Sequence, residues 1–142
     1  MSSRRPTDGS VLMLMPAGVL IVLLLGAIAF DLSLVFLRQR QATSVAGDVA
    51  NDLATQAVDE AELRATGAYR LDPGRADALG RALIGPSDLA GEVLDVDIDV
   101  LGDDTVQVTV VVRVDYVFAK AVPGASEGTE VQATATAVAA TG

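Results

Sequence analysis

The stretch Ser10–Phe30, SVLMLMPAGVLIVLLLGAIAF, governs how the rest of the chain is read. None of its 21 residues is charged. At ~1.5 Å per helical residue, a run of this length covers a hydrocarbon core of ~30 Å. Lipid offers the backbone no hydrogen-bond partner, so the run is expected to form one transmembrane helix. Asp31 interrupts it, and Leu32-Ser33-Leu34-Val35-Phe36-Leu37 then resumes as far as Arg38. The apolar segment is thus longer than one bilayer, and tilt or sliding can bring Asp31 to an interface. Three parts follow from this reading: a polar leader over residues 1–9, a transmembrane anchor over 10–37 and an α+β domain over 38–142.

The leader, Met1-Ser2-Ser3-Arg4-Arg5-Pro6-Thr7-Asp8-Gly9, carries two arginines, and Arg38 and Arg40 follow the span. The basic residues on the two sides nearly tie, so charge alone leaves the orientation open. The apolar run exceeds the ~7–15 residues usual in a cleaved secretory signal, which favours an anchor that stays. Pro16 lies near the N-terminal end of the span, where few carbonyls lose their donors. Gly18 and Gly26 are small enough for close helix contacts, although their spacing is not GxxxG. Asp31 has two readings. Either it sits among headgroups at the membrane exit, or it is partly buried against a cation or polar group of a partner protein.

Composition narrows the function classes. The 142-residue chain has a net charge of −9, nearly all of it beyond the anchor, and contains no His, Cys or Trp. Nucleic-acid binding requires a Lys/Arg footprint, whereas Lys120 is the sole lysine. The acidic balance also disfavours docking on anionic lipid heads. Without His or Cys, the common general bases, thiol nucleophiles and soft metal ligands are missing. The expectation is therefore a non-enzymatic protein with no cofactor, small-molecule substrate or nucleic-acid partner.

Beyond Arg38 no proline occurs before Pro73, and Ala42, Ala46, Val49, Leu53, Ala57 and Ala61 recur at helical period. This predicts that the anchor continues into an amphipathic helix, about 50 residues in all, with Gly67 as a C-cap. Asp72-Pro73 starts a short second helix, with Asp72 as cap and Pro73 first, and Gly85-Pro86 ends it. Its expected apolar face is Ala76, Leu79, Ala82 and Leu83.

The remainder alternates at period two. Leu94, Val96, Ile98 and Val100 form one face, then Val106 through Val114 with Tyr116 and Phe118, then Val131, Ala133, Ala135 and Ala137. Pairing Val100 with Val106 leaves a three-residue loop at 102–104. The fold class expected is α+β: a long N-terminal transmembrane helix continuing into an amphipathic helix, a short second helix, and a three-stranded antiparallel meander. Asp95, Asp97 and Asp99 are ~6.8 Å apart along one strand face, an arrangement that suits solvation better than convergence on a cation.

Several of these features together resemble a known family. They are Gly9-Ser10, an apolar span with early Pro16, Asp31 at its exit, then Phe36, Arg38, Arg40, Gln41, Ala42 and Val45-Ala46. Leu71-Asp72-Pro73 and the Ala-Thr-rich end with Pro123-Gly124 fit as well. The pattern resembles the TadE/TadG-like proteins of tight-adherence (Tad, Flp-type) pilus assembly in their actinobacterial style, best over residues 8–60. The resemblance implies a minor pilin-like or accessory protein of the plasma membrane. It would be single-pass with its C-terminal domain extracytoplasmic, and its partners would be other pilus-assembly membrane proteins or pilin-like subunits and the lipid bilayer. It also implies Gly9 and Ser10 as a processing site. TadE-like pseudopilins carry a glutamate five residues after the cleaved glycine; here that residue is Leu14, which favours the uncleaved, TadG-like role. Pro16, Gly18, Gly26 and Asp31 are the candidate helix-packing or depth-setting positions. The competing reading is a membrane-anchored envelope or secretion-complex subunit unrelated to pili.

Overall fold

The computed structural model describes residues 8–139, with side-chain environments from residue 14 onward; Arg4 and Arg5 of the leader lie outside the described residues. The chain is α+β. Helix α1 (Asp8–Gln56) is followed by α2 (Glu60–Thr66) and α3 (Pro73–Ile84). Strands β1 (Val93–Leu101), β2 (Thr105–Asp115) and β3 (Gly128–Val138) then form a three-stranded antiparallel sheet in the order β1-β2-β3.

Helix α1 runs 49 residues without a break, through Pro16 and across the expected boundary at residue 38. Its two halves meet different surroundings. Between Leu14 and Phe30 every large apolar residue is exposed. An 18-residue window of this helix reaches a mean hydropathy of 2.7, and only 6% of it is buried by the protein itself. By length and composition this helix can cross a membrane. From Ala42 onward the helix is amphipathic: Ala42, Ala46, Val49, Ala50, Leu53 and Ala54 are buried, as is Ala57 just past its end.

The sheet meets this stripe with one face. Val106, Val108, Val110 and Val112 of β2 are fully buried. In register beside them stand Val100, Ile98 and Val96 of β1, and Ala137, Ala135, Ala133 and Val131 of β3. Helix α1 lies over β2 and β3, and α3 lies over β1 beside α1. Alanines on both α1 and β3 let helix and sheet approach closely. The opposite face is polar, with the Thr109 and Thr134 hydroxyls 3.1 Å apart and Asp95, Asp97 and Asp99 exposed.

Local chemistry sets the ends of the elements. The Asp72 carboxylate accepts from the Gly74 and Arg75 amides at 2.8 and 3.2 Å, and Pro73 opens α3. Gly67, at φ +71°, closes α2 in the left-handed conformation. The pairing of Val100 with Val106 and the 102–104 turn are as expected, with Gly102 at φ +75°.

Four details correct the expected pattern. The amphipathic helix ends at Gln56, so Ala61 is exposed on α2 and does not extend the stripe. Val58 pairs instead with Leu71 in an isolated bridge, and Asp59 caps α2 through its side chain. Leu94 is half exposed because a register shift between Val93 and Asp95 turns it off the core face. On α3, Gly80 and Ile84 face the core with Ala76, whereas Ala82 is exposed. Finally, β2 stops at Asp115, and Phe118 lies outside the strand.

Gly80 marks the closest approach of α3 to its neighbours. A Cβ there would press on Ile98 and would stand 3.2 Å from Leu53 Cδ1. Gly80→Val is expected to lower stability by about 1–3 kcal/mol through overpacking. Gly47→Ala, where a Cβ would meet nothing within 4 Å, is expected to gain up to about 1 kcal/mol of helix propensity. Denaturant unfolding of the detergent-solubilised protein distinguishes the two.

Candidate functional site: the Asp31 junction

Asp31 is the single buried charged or polar residue among the described positions, at 6% exposure. It sits where the apolar half of α1 gives way to the half that packs on the sheet. Its carboxylate faces the connection between β2 and β3. Oδ1 accepts from the Val117 amide at 2.8 Å and the Phe118 amide at 3.2 Å. Oδ2 accepts from Phe118 at 3.2 Å and Ala119 at 2.8 Å. Three successive N–H groups thus converge on one carboxylate, the geometry of a backbone anion nest.

The local sequence explains the nest. Beyond Asp115 the chain leaves the ladder and forms a 3₁₀ turn over Ala119–Ala121. Its N-cap, Phe118, makes no side-chain cap bond. The first amides of such a turn lack partners within it, and Asp31 supplies them from another element, 86 to 88 residues away in sequence. Beside the carboxylate, the rings of Phe30 and Phe118 meet edge to face at 5.4 Å. An apolar hollow of about 360 Å³ lies between Leu24, Ala27 and Ile28 of α1 and Phe118, Ala121 and Val122 of the connection.

Two further links tie α1 to the sheet just beyond Asp31. Arg38 pairs with Glu92 at 2.6 Å and also donates to Gln41 at 2.9 Å. Gln39 Nε2 donates to the Gln132 carbonyl at 2.9 Å. A crevice of about 290 Å³ is lined by Leu34, Arg38, Glu92, Arg113, Asp115 and Val117 among others. The Asp115 carboxylate hydrogen-bonds Arg113 and holds its pKa above the ordinary guanidinium value. Both crevice arginines therefore have carboxylate partners. No group of three or more Asp, Glu, His or Cys able to hold a metal ion occurs among the described residues.

Of the other candidate positions, Gly9, Ser10, Pro16 and Gly18 lie apart from the junction, whereas Gly26 borders it. Gly9 and Ser10 fall in the first turn of α1. Gly18 lines a shallow apolar groove with Leu14, Met15, Val19, Val22 and Leu23. Gly26 lines another, with Val22, Leu23, Ala27, Phe30 and Phe118. Nothing stands within 4 Å of a Cβ built at either glycine.

Sequence reasoning singled out Asp31 but not its partners, the 117–119 amides, nor the Arg38–Glu92 pair. One signal was available. Residues 116–126, YVFAKAVPGAS, hold no acidic residue in a domain otherwise rich in them.

Asp31→Ala removes the acceptor of three amides and leaves the domain core untouched. Hydrogen exchange at Val117, Phe118 and Ala119 is expected to accelerate by about tenfold or more, the equivalent of one net hydrogen bond. Amides of β2 at Val108 and Val110 should keep their protection.

The chain matches no protein-family model, no curated protein and no solved structure.

Proposed function

We propose that this chain is a non-enzymatic, single-pass component of a Tad/Flp-type pilus assembly system, either minor pilin-like or a TadG-like accessory and anchoring protein. It sits in the plasma membrane with its α+β domain outside the cytoplasm and acts by helix packing. The reading rests on the resemblance over residues 8–60 and on one structural observation. A single unbroken helix presents a lipid-compatible surface along its first half and forms the core of the folded domain along its second. Lateral association of the first half is thereby mechanically coupled to the position of the domain.

The exposed helix surface around Gly18 is where partner helices would pack. Gly18→Leu fills open space and leaves the domain folded. It is expected to reduce co-purification with pilus ATPase and platform proteins from detergent-solubilised native membranes. Undiminished co-purification would remove that face from the mechanism. Absence of those proteins from the wild-type sample would favour the envelope-subunit reading.

The intact mass of the protein from its native membrane separates the two roles within the pilus reading. A chain retaining Arg4 and Arg5 is expected and means a permanent anchor. A chain beginning at Ser10 would mean leader removal and a processed, pilin-like subunit.

A further inference from the structure

We propose that the β2–β3 connection, residues 116–126, is a second membrane contact: an apolar finger that enters the outer part of the same bilayer leaflet from which α1 emerges. The inference rests on the membrane-anchor reading and adds a site to it.

Four observations converge. First, the connection is apolar and open. Val117, Phe118 and Val122 are 47%, 46% and 53% exposed, and Ala121 and Ala125 are exposed beside them. Its one charge is Lys120, whose long stem lets the ammonium reach water from an apolar bed. Second, the connection lies on the membrane side of Asp31. It meets Phe30 through Phe118 and faces Leu24, Ala27 and Ile28 across the apolar hollow, all within the uncharged run. Leu24 is seven residues before Asp31, or ~10 Å along the helix axis. Interfacial segments typically sink ~5–10 Å into the boundary between headgroups and acyl chains.

Third, the aromatics cluster at this level. The chain has three Phe, two Tyr and no Trp. Phe30, Phe36, Tyr116 and Phe118 all lie on α1 within a few residues of Asp31 or on the connection that Asp31 holds; only Tyr69 lies elsewhere. Tyr concentrates at membrane–water boundaries, and Phe is a usual residue of the buried face of interfacial segments.

Fourth, the part of the connection nearest the helix has its amides satisfied within the protein, while the Lys120, Gly124 and Ser126 amides are left for the headgroup region. Irregular backbone is tolerated at membrane depth only where its polar groups are satisfied internally. Asp31 takes the Val117, Phe118 and Ala119 amides. Tyr116 donates to the Glu127 carbonyl, Ala121 to Phe118, Val122 to Ala119 and Ala125 to Val122, all at 2.9–3.1 Å. Pro123 has no N–H to satisfy. With these amides paired, the exposed apolar side chains have the acyl chains as neighbours in this proposal. The lipid-facing surface of α1 continues directly onto the finger through Phe30 and Phe118.

The chain has no cysteine, so single-cysteine spin labels can be placed without background. Val122→Cys, Val22→Cys and Thr109→Cys report the finger, the anchor and the solvated sheet face. The full chain is reconstituted in vesicles of phosphatidylcholine and phosphatidylglycerol, and accessibility to oxygen and to a water-soluble nickel chelate is measured. The expected result is a label at 122 that resembles position 22, open to oxygen and shielded from nickel, while 109 shows the reverse. Asp31→Ala is expected to cost the label at 122 its nickel shielding. A label at 122 as open to nickel as 109, with 22 still shielded, overturns the finger and leaves the anchor standing. Nickel access at position 22 overturns the anchor and the finger together. Shielding of 122 from both reagents means cover by protein, such as a second copy, and also overturns the proposal.

Discussion

The close approach of α1 to the sheet is the constraint on which the rest of this structure depends. A helix can settle on a strand pair at short distance only if the side chains between them are small, and here they are small on both sides. Ala42, Ala46, Ala50, Ala54 and Ala57 face Ala133 and Ala137, with valines filling the centre of the sheet. Such a core buries little apolar area per residue, so its stability depends on dense packing more than on large side chains. Gly80 on α3 follows the same rule, since Ile98 and Leu53 occupy the space its Cβ would need.

That packing has a consequence for the other half of the helix. Because α1 is continuous from Asp8 to Gln56, fixing its second half on the sheet also fixes the direction in which its first half leaves the domain. A flexible linker would let the domain tumble above its anchor; a helix does not. Asp31 adds a lock at the point of exit. Its carboxylate ties α1 to the β2–β3 connection, and the Arg38–Glu92 and Gln39–Gln132 links repeat the tie about two turns further on. The apolar half of α1 and the domain are therefore joined as one body, the property the proposed scaffold role would require.

Much of the fold was legible in the sequence because the deciding physics is local. The hairpin register follows from two alternating runs and a short loop around Gly102. The Asp72-Pro73 start and the Gly67 cap follow from backbone chemistry within a few residues. What escaped has partners far away in sequence. Nothing near Gln56 stops the helix; the stop comes with the bridge from Val58 to Leu71 and with the bond from the Asp72 amide to the Ala57 carbonyl. Leu94 follows the alternation perfectly well, but a register shift reverses its side. Phe118 fits the strand period, yet Asp31 draws its amide out of the ladder into a turn. A lone acid in an apolar run signals a partner, and the identity of that partner is a matter of topology.

A single helix on its own leaves two freedoms in a bilayer, tilt and rotation about its axis, and hydrophobic length restrains both weakly. Here the apolar length from Ser10 to Leu37 exceeds a bilayer, so length alone would permit a range of depths. A second apolar contact off the helix axis removes that freedom, because sinking one point while holding the other requires the whole body to tilt. The β2–β3 connection stands at such an off-axis position, held to the helix by the most buried charge in the described chain. The acidic domain is poorly suited to adhere to anionic headgroups, so in the proposed arrangement an apolar contact would complement the helix in keeping a defined face towards the membrane. On the proposed reading, orientation more than attachment is what the Asp31 junction would contribute: attachment needs only an apolar run, whereas presenting one particular surface would need the continuous helix, the Asp31 tie and the second contact together.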